Sequence, residues 1–123
     1  MALNRPPTQT ADLLADAARA LYGEAEWKAP LSRELGVNMR TIQAWLSGKM
    51  QLAPDHDVMR RTLGLLSALK PAIERVLPHV DRGPEVLRRM HDALSTQLSE
   101  INRVMPLIAA GLATRAPAAR RHK

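Results

Sequence analysis

The sequence predicts an all-α protein, and three observations carry that reading. Apolar residues recur three and four apart along most of the chain, from Leu13 to Leu112. No stretch alternates apolar and polar residues as a half-buried strand would. Glycine and proline punctuate the apolar stripes at intervals that suit helix ends. The arrangement expected is five helices before Pro84 and one long helix after it.

Each element has its own signals. Arg5-Pro6-Pro7 reads as an extended leader, and Thr8 or Thr10 as the cap of a first helix. Leu13, Leu14, Ala17, Ala18 and Leu21 form its apolar stripe up to Gly23. A second helix opens near Trp27, with Pro30 tolerated in its first turn, and runs to Leu35. Gly36-Val37-Asn38 is a tight turn, followed by a third helix from about Met39 to Leu46 that stops at Ser47-Gly48. Asp55 is the expected cap of a fourth helix carrying Val58, Met59, Leu63, Leu65, Leu66 and Leu69. Lys70-Pro71 is expected to break that helix and start a fifth with Ile73, Val76, Leu77 and Val80. Asp81-Arg82-Gly83-Pro84 is the clearest turn. A long helix follows from Glu85 to about Met105, Pro106 kinks or ends it, and Leu107 to Leu112 add a turn or two. Ala113 to Lys123, rich in Ala, Arg and Pro, reads as a disordered basic tail.

Composition narrows the function classes. Apolar residues make up 46% of the 123, enough for a core, and Tyr22, Trp27 and Trp45 are the aromatic ones, so that core is mostly aliphatic. Cysteine is absent, which excludes disulfides and thiolate metal sites. The N-terminal MALNRPPTQT lacks the apolar stretch of a signal peptide, and no apolar run is long enough to span a bilayer. A cytoplasmic protein without a membrane role is expected. The formal charge of +6 suggests a nucleic-acid partner, but four of those charges sit in the last eleven residues and the body is near neutral. Charge alone therefore does not decide the matter.

The segment from about Lys28 to Lys49 is more informative. Two short helices crossing steeply need a turn residue that accepts a positive φ, and Gly36 supplies it. They need a small residue at the close approach, which Ser32 provides, and apolar residues turned inward, at Leu31, Leu35, Val37, Ile42 and Trp45. Polar residues lie between these, and no proline interrupts the second helix of the pair. This is the pattern of a helix-turn-helix. The stretch LSRELGVNMRTIQAWLSGK resembles the helix-turn-helix of the phage repressor and Cro-like DNA-binding family, and Ser47-Gly48-Lys49 resembles the ending that follows its recognition helix. Ser32 stands where alanine is usual, and Trp45 is bulkier than the common aliphatic residue. The resemblance covers residues 28–49, and no family resemblance extends to residues 84–123.

The resemblance implies a repressor-like domain over residues 1–82 and assigns roles by position. The helix from Asn38 becomes the recognition helix in the major groove, with Asn38, Met39, Arg40, Gln43 and Ala44 toward the bases. Arg40 suits a bidentate bond to guanine and Gln43 one to adenine, while Met39 or Ala44 can meet a thymine methyl. Thr41, Ser47, Lys49 and Lys28 suit phosphates, which position a protein without reading sequence. Trp27 and Trp45 are expected in the core.

A second pattern lies in residues 83–112. Leu87, Leu94, Ile101 and Ile108 are seven apart, and His91, Leu98, Met105 and Leu112 form a parallel series. Such a stripe is either a coiled-coil seam or one face of a helix packed on its own domain. A single helix-turn-helix reads few base pairs, and twofold duplication is the usual remedy, so dimerisation through this helix is expected. The four histidines show no metal-ligand spacing, and Asp55-His56-Asp57 reads as helix capping. No nucleophile motif, phosphate-cradling glycine loop or paired-carboxylate arrangement appears, so no enzyme, cofactor, metal or small-molecule ligand is expected. The expected function is a sequence-specific regulator of transcription, a dimeric repressor, with autoregulation and a phage, plasmid, antitoxin or anti-CRISPR-associated type among the options. Its partner is double-stranded DNA carrying an inverted repeat. The alternative is a protein-interaction module that reuses the same fold.

Overall fold

The structure, a computed structural model, describes residues 6–80 and 84–120, with side chains described for residues 10–80 and 84–113. Every regular element among the described residues is helical: α1 (Pro6–Tyr22), α2 (Lys28–Leu35), α3 (Met39–Ser47), α4 (Asp57–Val76) and α5 (Glu85–Arg120), with a 3₁₀ turn at Leu77–His79. The all-α expectation holds. No helix among the described residues is long and apolar enough to cross a membrane.

The centre of the fold is α1, which packs against each of the other four helices. Its buried face is built largely from alanine, with Ala11, Ala15, Ala17 and Ala18 beside Leu14. Small side chains let several helices approach one helix closely, because interaxial distance follows the size of the residues at the contact. Leu31 and Leu35 from α2, Ile42 and Trp45 from α3, and Val58, Met59 and Leu66 from α4 complete the core. Both tryptophans are buried, as expected.

Several elements differ from the sequence expectation. The leader is not extended at Pro6-Pro7, which form the first turn of α1. Proline is at home there, since its missing N–H has no helical partner to lose. Thr10 consequently lies inside the helix and is buried instead of capping it. Asp55 does not cap α4; His56 does, its Nδ1 accepting the Val58 amide at 3.1 Å. Lys70-Pro71 does not divide two helices, so four α-helices precede Pro84 where five were expected. Pro106 does not end α5, and the backbone stays helical through Ala113 and on to Arg120, where a disordered tail was expected. Pro71 and Pro106 are exposed, and so are Ser67 and Asn102, the residues whose carbonyls lose their amide partner. Water can meet those carbonyls. Apolar residues on both sides of each proline (Leu66 and Ile73, Val104 and Ile108) are buried and hold the helix through it. Residues 81–83 of the expected turn and residues 121–123 of the tail lie outside the described residues.

The heptad stripe on α5 also takes a different role. Ile101 and Ile108 are fully buried in the chain's own core, and Leu94, Leu98, Met105 and Leu112 pack against it. Leu87 and His91 are half-buried. Because α5 lies along α1 and α4, the stripe faces those helices and is not a free dimer seam.

Candidate nucleic-acid interface

The α2–α3 unit is shaped by its turn. Gly36 follows α2 in the left-handed region at φ 67°, and its amide bonds the Ser32 carbonyl. The Val37 amide bonds the same carbonyl at 3.1 Å, and the Ser32 hydroxyl donates to the Val37 carbonyl at 2.5 Å. Ser32 thus serves as both the small residue at the close approach and a clasp across the turn, which alanine could not do. A fourth tie comes from outside the unit: the Arg61 guanidinium, on α4, donates to the Leu35 carbonyl at 2.7 Å. It satisfies a carbonyl that the helix end leaves without a partner. No local pattern marks Arg61 for this task, since the contact spans 26 residues.

Asn38 starts α3, its side-chain oxygen accepting the Arg40 amide at 2.8 Å. At the other end Gly48 takes φ 87° and donates to the Trp45 carbonyl, while the Met50 amide reaches the Ala44 carbonyl at 3.1 Å. The Ser47 hydroxyl also donates to Ala44, at 3.2 Å, and accepts the Lys49 amide at 3.4 Å. Both ends of α3 are therefore closed by local bonds. Ile42 and Trp45 anchor its inner face, and the Trp45 ring meets His56 edge-on at 5.4 Å between centroids.

The outer face follows from this anchoring. Asn38, Met39, Arg40, Gln43, Ser47 and Lys49 are exposed, and Thr41 and Ala44 are half-exposed at its margins. Arg40, Gln43 and Ser47 are spaced three and four apart, so they share one side of the helix. The ion pairs among the described residues involve neither Arg40 nor Lys49. Lys28 sits in the first turn of α2, whose N-terminus has no side-chain cap. Its ammonium lies 5.7 Å from the Trp27 ring centroid, and the Arg19 guanidinium lies 5.5 Å from the same ring. Cations held near an aromatic face are attracted by its quadrupole, and this keeps the Lys28 charge at the start of α2, while Arg19 is also paired with Asp16 at 3.0 Å.

The nine candidate contact residues between Lys28 and Lys49 thus belong to one folded unit, with two qualifications in their chemistry. The Asn38 oxygen and the Ser47 hydroxyl already serve as helix caps, which leaves the Asn38 amide nitrogen as its free hydrogen-bonding group toward a ligand. The stripe residues from Leu87 to Ile108 lie on a different helix and join no part of this face. Met50, exposed just beyond Lys49, is a second exposed methionine of this segment, at the opposite end of α3 from Met39, and was not singled out by the sequence pattern. No protein-family model, curated protein or solved structure matches the chain.

Proposed function

We propose that the chain is a sequence-specific DNA-binding regulator of transcription, a cytoplasmic repressor that reads an inverted repeat as a homodimer. The observation that carries the reading is the outer face of α3. There Arg40 and Gln43 stand exposed on a helix whose inner face, ends and preceding turn are all fixed. Rigid presentation of an unpaired guanidinium and a carboxamide one turn apart is what direct readout of base edges requires. Lys28 at the start of α2 and Lys49 just past α3 carry charge suited to phosphates. The local resemblance to the phage repressor and Cro-like family over residues 28–49 supports the same reading.

The test is selection of bound DNA from random sequence, followed by footprinting. An inverted repeat with half-site centres roughly 34 Å apart is expected. Arg40→Ala should cost about 1–3 kcal/mol per half-site and relax preference at one base position, while Lys49→Ala weakens all sequences about equally. If Arg40→Ala lowers specific and nonspecific binding alike, Arg40 is a phosphate contact and the assigned reading face is wrong. Failure to select any DNA with a folded protein would favour the interaction-module alternative.

A further inference from the structure

We infer that a second copy of this chain docks on the N-terminal part of α5, on a face opened by Val86 and Met90, with the two helices antiparallel about a twofold axis. The inference rests on the proposed DNA-binding reading for its purpose, and on the register of α5 against α1 for its location.

That register is fixed by two contacts. The Gln97 carboxamide donates to the Ala20 carbonyl at 2.5 Å, and the Arg103 guanidinium meets the Asp16 carboxylate at 2.6 Å. Numbers fall along α1 as they rise along α5, so the helices run antiparallel. Since α1 ends at Tyr22, it stops about 3 Å past Ala20 at 1.5 Å per residue. Met90 and Val86 lie roughly 10 and 16 Å from Gln97 in that same direction, beyond the end of α1.

The consequence is visible on one stripe. Met90, Gln97 and Val104 are seven apart and share a face of α5. Val104 is fully buried, Gln97 is half-buried against the last turn of α1, and Met90 is 49% exposed. Val86, one turn before Met90, is 63% exposed, and Ala93 is exposed too. An open cleft of about 670 Å³ runs between the last two turns of α1 and α5, from Asp16 and Glu100 to Gly23 and Ala93, and opens toward the end of α1. The uncovered strip therefore continues the α1–α5 interface and lacks a helix to lie on it.

Charge selects a second copy as that helix. Glu85 and Arg89 flank the strip and pair within the helix at 3.4 Å, both well exposed. With a twofold axis passing near residue 88, Val86 of each copy meets Met90 of the other, and Glu85 of each copy comes within about 3 Å along the helix of the level of Arg89 of the other, within reach of its long side chain. Symmetry supplies both the apolar contact and the two exchanged ion pairs. The strip is short, so the free dimer is weaker than one with an interface of about 1,200–2,000 Å², and two adjacent half-sites reinforce it by raising the effective concentration.

Because the chain has no cysteine, crosslinking has no background. Oxidising a Val86→Cys, Met90→Cys double variant should give a disulfide-linked dimer on non-reducing electrophoresis. Leu107→Cys, exposed near the other end of α5, should not. Met90→Glu should stay helical by circular dichroism and bind a single half-site as the parent chain does, but lose at least tenfold affinity for the inverted repeat. A double variant that remains monomeric, or a Leu107→Cys chain that crosslinks as readily, overturns the assignment. So does a folded Met90→Glu chain that keeps its full preference for the inverted repeat. Crosslinking without any DNA selection would instead sink the DNA-binding reading and leave this surface standing.

Discussion

Gly36 holds the turn before α3 at φ 67°, and nothing lies within 4 Å of where a Cβ would be. The cost of a side chain there is therefore conformational and not a clash. Gly36→Ala should destabilise the chain by about 1 kcal/mol, with Gly36→Asn milder, since asparagine enters the left-handed region more readily. A lowered urea midpoint with an unchanged slope measures it; equal midpoints for glycine and alanine would contradict the turn as described. At this scale the sequence is legible where a backbone conformation demands a residue type, as at Gly36. It is less so where a side chain has several possible partners. Asn38 and His56 carry oxygens or nitrogens that suit a ligand as well as a helix end, and local amides took both.

At the scale of elements, the prolines inside α4 and α5 weigh local preference against packing. A proline in a helix interior costs about 3 kcal/mol relative to alanine, which is why Pro71 and Pro106 read as breaks. Burial on both sides of each proline, of Leu66 and Ile73 about one and of Val104 and Ile108 about the other, offsets that cost. Pro106→Ala should therefore stabilise the fold, by about 2 kcal/mol once the lost restriction of the unfolded chain is subtracted. A raised melting temperature with unchanged helix content is the expected result, and no change would mean that α5 is interrupted at Pro106. The helices whose ends carry their own signals, α2 and α3, were legible in the sequence. Those whose continuity depends on contacts with distant residues were not.

Across the whole molecule, α5 is tied to α1 by charge as well as by its apolar stripe. Arg103 bonds Glu100 at 2.9 Å and Asp16 at 2.6 Å, and Asp16 also holds Arg19 at 3.0 Å. The hydrogen bond from Arg103, aided by its charge and opposed by partial burial, draws the Glu100 carboxyl below its usual value of 4.5. A carboxyl whose pKa is lower in the folded chain leaves the unfolded state with more bound protons, so stability rises with pH through that range. The contribution is present above about pH 4.5 and is lost as pH falls through the lower folded value. Glu100→Gln should therefore lower stability at pH 6 and leave it nearly unchanged at about pH 3, with an effect in the range of about 0.2–1 kcal/mol typical of exposed pairs. Chemical denaturation of both chains across that range measures it, and a pH-independent difference would remove Glu100 from the tie.

What the sequence determined by itself was local: helical periodicity, the glycine turn between α2 and α3, and the division of α3 into an inner and an outer face. Each of these follows from interactions within a few residues, which spacing and residue type report directly. The tertiary structure decided which apolar stripe faces which neighbour. The series from Leu87 to Ile108 has the spacing of a dimer seam, but spacing states only that a face is apolar, not what covers it. The courses of α1 and α4 determined the outcome, burying Ile101 and Ile108, while α1, by ending at Tyr22, leaves Val86 and Met90 exposed. That choice depends on pairings such as Ala20 with Gln97 and Asp16 with Arg103, which no local pattern records.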